Sequence, residues 1–236
     1  MVRVRVAEEL RAFLRARDRG GVIEVPHRGH DTVGHVVQSL GVPLTEVGAL
    51  EVAGERVEPA CRPGPEDEAV VHPVARPQPL AGSPRFLLDA HLGTLARRLR
   101  VLGIDAAYDR DADDDTLVRR ARAEDRVLLT QDRGLLRRRA LRRAAYVRGA
   151  HPDDQVRDVL DRFTPPLHPF TRCTACGGVL DRVSKQAVID ELLPGTRRSY
   201  DDYARCRDCH RIYWRGAHAA RLDRLVASVG PVRDRA

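Results

Sequence analysis

The stretch Arg85–Gly103 reads RFLLDAHLGTLARRLRVLG, and it decides the fold of the middle of the chain. Its residues Phe86–Leu88 form an apolar run of the length that is typical of a buried strand, and Asp89 ends that run. Leucine and alanine then recur at helical spacing until Gly103 supplies a stop signal. The stretch therefore predicts a buried strand that leads into a helix, with a carboxylate at the junction.

The alternation of strand and helix continues to about residue 160. Further strands are predicted at residues 104–108, 126–131 and 144–148, and further helices at 116–123, 133–139 and 152–162. Units of this kind connect through right-handed crossovers, which place the strands parallel and the helices on both faces. We therefore expect an α/β fold with a parallel sheet of about four strands.

Acidic residues follow three of these strands. Asp89 follows the first strand, Asp132 follows the third, and five acids follow the second, namely Asp109, Asp111, Asp113, Asp114 and Asp115. The carboxyl ends of parallel strands lie at one edge of a sheet, so we expect these groups to meet there. Clustered carboxylates repel one another unless a cation relieves the repulsion, and oxygen ligands suit Mg²⁺ or Mn²⁺. The alternative role for these aspartates is helix capping.

Two Cys-x-x-Cys pairs follow in the last third of the chain. Cys173 and Cys176 form the first pair, and Cys206 and Cys209 form the second after a gap of 29 residues. Four thiolates in two such pairs suit a tetrahedral zinc ion, and because all four positions are filled the zinc would be structural. The gap is longer than the usual ribbon spacing, which indicates an insertion between the pairs.

The first 75 residues carry a different pattern. Strands are predicted at residues 2–6, 22–25, 49–54 and 69–74, around a capped helix at residues 31–41. This small α+β unit resembles a β-grasp domain of the ubiquitin and sulfur-carrier type. Sulfur carriers end in a free diglycine tail, whereas this chain continues into a proline-rich linker at residues 76–84. The resemblance therefore implies a module that binds a protein partner, not an active carrier.

Charge is distributed unevenly along the chain. Residues 1–80 carry 10 basic and 12 acidic side chains, residues 81–160 carry 17 and 13, and residues 161–236 carry 14 and 9. The positive excess in the last two thirds suits a polyanionic partner such as nucleic acid, although a GC-rich genome also favours arginine. The sequence shows no membrane span and no apolar core of a signal peptide, so we expect a reduced, cytoplasmic setting without membrane association.

Residues 85–215 resemble the Mut7-C family, a branch of the PIN-like ribonucleases that pairs the nuclease fold with a C-terminal zinc ribbon. The matching segments are Phe86–Asp89, Leu92–Gly103, Tyr108–Asp109, Asp113–Leu117 and Val127–Arg133. A β-grasp module ahead of the nuclease part is a known arrangement in this family. The resemblance thus covers nearly the whole chain.

This resemblance implies roles for individual residues. PIN-like nucleases use an acid after the first strand, an acid at the start of a middle helix and the acid of a Thr-x-Asp motif. These roles correspond to Asp89, to Asp115 with Asp114 as its alternative, and to Asp132, which would together hold Mg²⁺ or Mn²⁺. A further acid is usual in the family, and Asp109 and Asp111 are the candidates for it.

The expected function is therefore metal-dependent hydrolysis of RNA, and the alternative is a non-catalytic RNA-binding or adaptor protein. We expect a β-grasp domain at 1–75, a linker at 76–84, a PIN-like domain at 85–165, and a zinc ribbon with a tail at 166–236. The helix after Asp89 places arginines 97, 98 and 100 on its polar faces. The predicted RNA-binding residues are Arg97, Arg133, Arg137, Arg138, Arg211, Trp214 and Arg215, although Trp214 also suits packing against the protein.

Overall fold

The structure is a computed structural model that describes residues 1–26, 29–214 and 226–227. Its N-terminal sheet comprises β1 (Val2–Val6), β2 (Val22–Val25), β3 (Val47–Val52), β4 (Glu55–Val57) and β5 (Glu68–Pro73). The strand order is β2-β1-β5-β3-β4, with β1 parallel to β5 and the other neighbours antiparallel. This is the β-grasp arrangement, which confirms the fold expected for this part of the chain.

The helix of the β-grasp unit, α1 (Val33–Ser39), begins at Thr32, whose Oγ1 accepts a hydrogen bond from the His35 amide at 3.2 Å. Its valines pack with the inward-facing residues of β1 and β5, which alternate with exposed residues along β1. Two short 3₁₀ helices, Glu8–Phe13 and Ala16–Asp18, connect β1 to β2. The second of them lies entirely on the surface, whereas the first buries Phe13.

The central sheet contains β6 (Phe86–Leu88), β7 (Ala106–Tyr108), β8 (Val127–Thr130) and β9 (Ala144–Tyr146). All neighbours are parallel, in the order β7-β6-β8-β9. Four helices cover it: α2 (Gly93–Val101), α3 (Asp114–Ala123), α4 (Arg133–Leu136) and α5 (Pro152–Phe163). Alternate strand residues face opposite sides, so Phe86 and Leu88 pack against α2 and α5, and Leu87 packs against α3 and α4. The predicted parallel sheet with helices on both faces is confirmed.

Gly103 ends α2 for a reason that the sequence alone does not show. Its φ is +81°, and a Cβ atom there would lie 1.9 Å from the carbonyl oxygen of His168. The His168 amide donates to the carbonyl of Leu102 at 2.9 Å, which holds the two segments together. Glycine is therefore required both by the backbone conformation and by the close approach of the chain that leads to the cysteine pairs.

The C-terminal sheet is antiparallel and consists of β10 (Leu180–Val183), β11 (Tyr203–Cys206) and β12 (Ile212–Trp214) in that order. The predicted insertion lies between β10 and β11. It contains two 3₁₀ turns and α6 (Pro194–Ser199), and a small core of Val188, Leu192 and Tyr203 supports it.

The β-grasp unit is attached to the central sheet by a buried ion pair. Arg162 of α5 donates to both carboxylate oxygens of Glu46, at 2.8 and 2.9 Å, and each side chain is 1% exposed. Glu46 also accepts a hydrogen bond from the Tyr146 amide of β9 at 2.8 Å. The linker segment adds to this attachment, because Arg76 pairs with Asp158 at 2.8 Å. None of the helices in the described part of the chain is long and apolar enough to span a bilayer.

Candidate functional site

Asp89 lies at the carboxyl end of β6 and is only 4% exposed. One carboxylate oxygen accepts the His91 amide at 2.7 Å, and the other accepts the hydroxyl of Thr130. Among the described residues, no basic side chain lies within 4.0 Å of this carboxylate. Burial of a carboxylate without an opposite charge is costly, so the surroundings of Asp89 favour a cation.

Asp132 is tied to Asp89 through one hydroxyl group. Thr130 ends β8, is fully buried, and accepts the Asp132 amide on its Oγ1 at 2.9 Å while it donates to Asp89. Asp132 itself is exposed and caps α4, because its Oδ1 accepts the amides of Gly134 and Leu135 at 2.6 and 3.3 Å. Its Oδ2 accepts no hydrogen bond from the residues that the structure describes. Asp132 therefore caps α4 with Oδ1 and still presents Oδ2 at the carboxyl edge of the sheet.

The aspartates after β7 have separate roles. Asp113 caps α3, because its Oδ1 accepts the Thr116 amide at 2.7 Å. Asp114 and Asp115 lie in the first turn of α3 with side chains 49% and 66% exposed, and Arg138 Nη2 lies 3.9 and 3.1 Å from their carboxylates. In this structure one arginine thus faces both carboxylates and compensates part of their negative charge.

The earlier acids of that loop also have a local role. Asp109 accepts the amide of Asp111 at 3.1 Å, which stabilises the turn after β7. Both residues are exposed.

The four cysteines form a compact cluster. Their sulfur atoms all lie within 4.8 Å of one another, and within the described ranges they are the one group of three or more Cys, His, Asp or Glu ligands found close enough to share an ion. Cys173 lies 3.6 Å from Cys209, and Cys176 lies 3.4 Å from Cys206. The sulfur-only donor set and this spacing suit a tetrahedral zinc ion.

Ionisation within the cluster is uneven. Burial opposes ionisation of Cys173, but the Cys176 amide and the Tyr213 hydroxyl outweigh it and lower the pKa of Cys173 to about 6. Burial raises the pKa of Cys176 to about 12, and the neighbouring sulfurs of Cys206 and Cys209 add to that shift. A bound cation would stabilise all four thiolates together.

Arg100 lies beside the cysteine cluster and corrects one expectation. The helical pattern placed this arginine on a polar face of α2, but it is 2% exposed. Its guanidinium donates to the carbonyls of Ala106, Thr174 and Ala175 at 2.8, 3.2 and 2.8 Å, so it joins β7 to the first cysteine pair. Burial lowers the pKa of Arg100, and the charge of the nearby cysteine sulfurs opposes that shift.

Arg133 follows Asp132, and its guanidinium lies over two aromatic rings that contact each other. Its guanidinium carbon lies 5.4 Å from the ring centroid of Phe13 and 5.9 Å from that of Tyr146, and the two rings meet edge to face at 5.2 Å. Phe13 belongs to the β-grasp unit, so local sequence pattern could not predict its contact with Arg133. No carboxylate of the described chain lies within 4.0 Å of Arg133. Its N–H groups therefore remain available beside the acidic edge.

The other predicted RNA-binding residues lie in several places. Arg97 is exposed on α2, Arg137 is exposed at the end of α4, and Arg138 pairs with the two aspartates of α3. Arg211 and Trp214 are exposed at β12, with Trp214 at 42%, so Trp214 is not packed into a core. Arg215 lies outside the described residues.

The fold and these contacts define a doubly wound α/β domain with acidic residues at the carboxyl edge of its sheet. In the chain, a β-grasp unit precedes this domain and a four-cysteine ribbon follows it. The chain belongs to the Mut7-C RNAse domain family, whose family model matches residues 84–226. The model described as Mut7-C ubiquitin matches residues 1–79. The expected architecture is thereby confirmed. Comparisons with curated proteins and with solved structures gave no match.

Proposed function

We propose that this protein is a metal-dependent ribonuclease that hydrolyses RNA phosphodiester bonds at the carboxyl edge of the central sheet. The observation that carries this proposal is that the Thr130 hydroxyl binds both the buried Asp89 carboxylate and the backbone amide of Asp132, which keeps the two residues together at this edge. Asp89 has no basic partner among the described side chains, which is the situation expected of a metal ligand. Membership of an RNAse domain family supports the choice of RNA as substrate.

Asp89 and Asp132, with Asp115 or its neighbour Asp114, would hold Mg²⁺ or Mn²⁺, because carboxylate oxygens are the ligands that these ions prefer. In the structure no three of these carboxylates lie close enough to share an ion, so binding of the ion would have to draw them together. An ion bound there would supply Lewis-acid polarisation of a phosphodiester oxygen and activation of the attacking water. Thr130 holds the Asp89 carboxylate in place through its hydroxyl group.

Basic residues near this edge would position the RNA. Arg133 has its guanidinium ordered by Phe13 and Tyr146, so it can bind a phosphate with little further loss of side-chain entropy. Arg138 would exchange the carboxylate of Asp115 for a phosphate. The further proposed contacts are Arg97, Arg137, Arg211, Trp214 and Arg215.

Substitution of the two linked aspartates tests the catalytic proposal. Asp89→Asn and Asp132→Asn should each lower the rate of cleavage of a single-stranded RNA with Mn²⁺ by about 100-fold or more, because even residues that only support metal ligands cost 10–100-fold. Asp202→Asn is the matched control, since Asp202 is exposed in the ribbon insertion, and it should leave the rate unchanged.

Two outcomes would contradict the proposal: no cleavage by the wild-type protein, or full activity in both variants. A wild-type protein that binds RNA without cutting it would favour the non-catalytic alternative. The pairing of Asp114 and Asp115 with Arg138 is the observation that keeps this alternative in view.

We also propose that the cysteine cluster binds one structural zinc ion. Elemental analysis of the purified protein should find about one zinc per chain. Cys209→Ser should lose the metal and destabilise the ribbon, because a structural zinc contributes directly to folding. Cys61→Ser is the control, since Cys61 lies in the β-grasp unit and should not affect the zinc content. Protein purified without zinc would contradict this part of the proposal.

A further inference from the structure

A groove with basic walls lies between α3 and the segment 137–143 that follows α4. Two adjoining clefts of about 360 and 460 Å³ form it, and Arg122 lines both of them. We call this feature the basic groove and define it by its exposed arginines: Arg119, Arg122, Arg138, Arg139, Arg142 and Arg143. Two aspartates, Asp115 and Asp125, also line it.

The positive charge of the basic groove is only partly compensated. Arg138 pairs with Asp115 at 3.1 Å, and Arg143 pairs with Asp125 at 2.8 Å. The other four arginines have no carboxylate within 4.0 Å in the described parts of the chain. A guanidinium is always ionised, and like charges at short range repel one another. The groove therefore has an excess of positive charge that a polyanion would relieve.

The course of the groove relates it to the acidic edge. Helix α3 begins at Asp114, just after the carboxyl end of β7, and runs back to Ala123 before β8 begins. Its 10 residues span roughly 15 Å at 1.5 Å per residue. At roughly 3.4 Å per nucleotide in a stacked strand, that length matches about four phosphates. One end of the groove thus lies at Asp115, near the proposed catalytic edge.

The residues that line the basic groove indicate which part of a nucleic acid they would contact. Arginine forms paired hydrogen bonds to phosphate, which makes it suited to a nucleic-acid backbone. None of the described residues that line the two clefts is aromatic, so stacking on bases is not available there. Contacts of this type position a strand without reading its sequence.

We propose that the basic groove binds the phosphodiester backbone of the RNA strand, independently of sequence, and directs that strand to the acidic edge. This inference rests on the proposed ribonuclease function, for which it names the path of the substrate. Arg119 and Arg122 of one wall, and Arg139 and Arg142 of the other, contact phosphates. Arg138 joins them when it leaves Asp115.

The test is the salt dependence of binding between the full-length protein and a fluorescein-labelled 20-nucleotide oligouridylate, measured by anisotropy without Mg²⁺ or Mn²⁺. The variant Arg122→Gln/Arg139→Gln removes one charge from each wall. The plot of log K against log salt has a negative slope, and each phosphate contact on a single strand contributes about 0.7 to its magnitude. Loss of two contacts should therefore reduce the magnitude of the slope by about 1.4. We take the affinities of the two proteins to be equal near 1 M salt, where phosphate contacts no longer contribute to binding. Over the decade from 1 M to 0.1 M salt, a slope difference of about 1.4 then makes binding by the variant about 25-fold weaker.

Two further variants control for charge and for folding. Arg3→Gln/Arg56→Gln removes the same charge from exposed positions of the β-grasp sheet and should change the affinity by less than about 2-fold. Arg122→Lys/Arg139→Lys keeps the charge and should keep the slope. The inference is wrong if the groove variant binds as tightly as the β-grasp control, or if its slope equals that of the wild type.

Failure of the inference is distinguishable from failure of the proposed function. Cleavage of the same RNA with Mn²⁺ is measured for the wild type and the groove variant. If the wild type and the groove variant both cleave the RNA with the same KM, the nuclease proposal is supported and the proposal that the basic groove binds RNA is wrong. If the wild type binds RNA through the basic groove but does not cleave it, the groove proposal is supported and the nuclease proposal is wrong.

Discussion

The buried pair of Glu46 and Arg162 provides a sharp test of how the β-grasp unit is joined to the domain that contains the central sheet. The Arg162 side chain donates four hydrogen bonds to described residues: two to Glu46, one to the side chain of Gln78 at 2.8 Å and one to the carbonyl of Thr45 at 3.1 Å. Glu46→Gln removes the negative charge but keeps the size of the side chain. The change leaves the guanidinium buried without its counter-charge.

The expected cost follows from the geometry. Removal of one partner of a buried ion pair costs about 3–5 kcal/mol. Gln78 and Thr45 continue to accept from Arg162, so we expect a loss near the lower end, about 3 kcal/mol. With a urea dependence of about 2 kcal/mol per molar, the unfolding midpoint should fall by about 1.5 M. Glu66→Gln, at a side chain 79% exposed, is the control and should leave the midpoint unchanged.

A double-mutant cycle with Arg162→Met completes the test. Because each single change leaves the other charged group buried and unpaired, the double variant should lose about 2–3 kcal/mol less than the two single variants together. Urea denaturation followed by circular dichroism gives the three values. Additive losses, or a Glu46→Gln protein as stable as the wild type, would show that this pair does not join the two units.

Three further predictions concern the site and its supports. Thr130→Val should reduce cleavage by about 10–100-fold at unchanged zinc content, because the hydroxyl that holds Asp89 is lost; wild-type activity would refute this role. Arg100→Met should release zinc to a chelator faster than Arg98→Met, because only Arg100 holds the carbonyls of the first cysteine pair; equal release rates would refute it. Burial opposes ionisation of Asp105, but the hydrogen bond from Arg126 outweighs it and lowers the pKa. The stabilisation is thus present above the unfolded pKa of about 3.9 and is lost as pH falls through the lower folded value. Asp105→Asn should therefore reduce stability to urea at pH 7, and its difference from the wild type should shrink as the pH falls below about 3.9.

Local pattern was sufficient for the main features of the fold. The apolar run Phe86–Leu88 corresponds to β6, and the helical spacing after Asp89 corresponds to α2. The predicted stop at Gly103 lies just after the end of α2. Strand, helix and turn preferences depend on neighbouring residues, so they can be read from the chain in order. The two Cys-x-x-Cys pairs were equally informative, because their spacing reflects the geometry that a tetrahedral metal requires.

Contacts between distant segments were decided by the tertiary structure alone. The same helical pattern that placed Leu99 in the core gave no sign that Arg100 is buried, because two of its three carbonyl partners lie in a segment about 75 residues away. Likewise, nothing near Arg133 in the sequence points to Phe13, and nothing near Glu46 points to Arg162. Hydrogen bonds to backbone carbonyls and contacts between units depend on how the sheets pack, which no local pattern records. Local sequence pattern thus predicted the strands and helices of the central sheet and identified candidate metal ligands, whereas packing in three dimensions determined which charges are buried, paired or left available to a ligand.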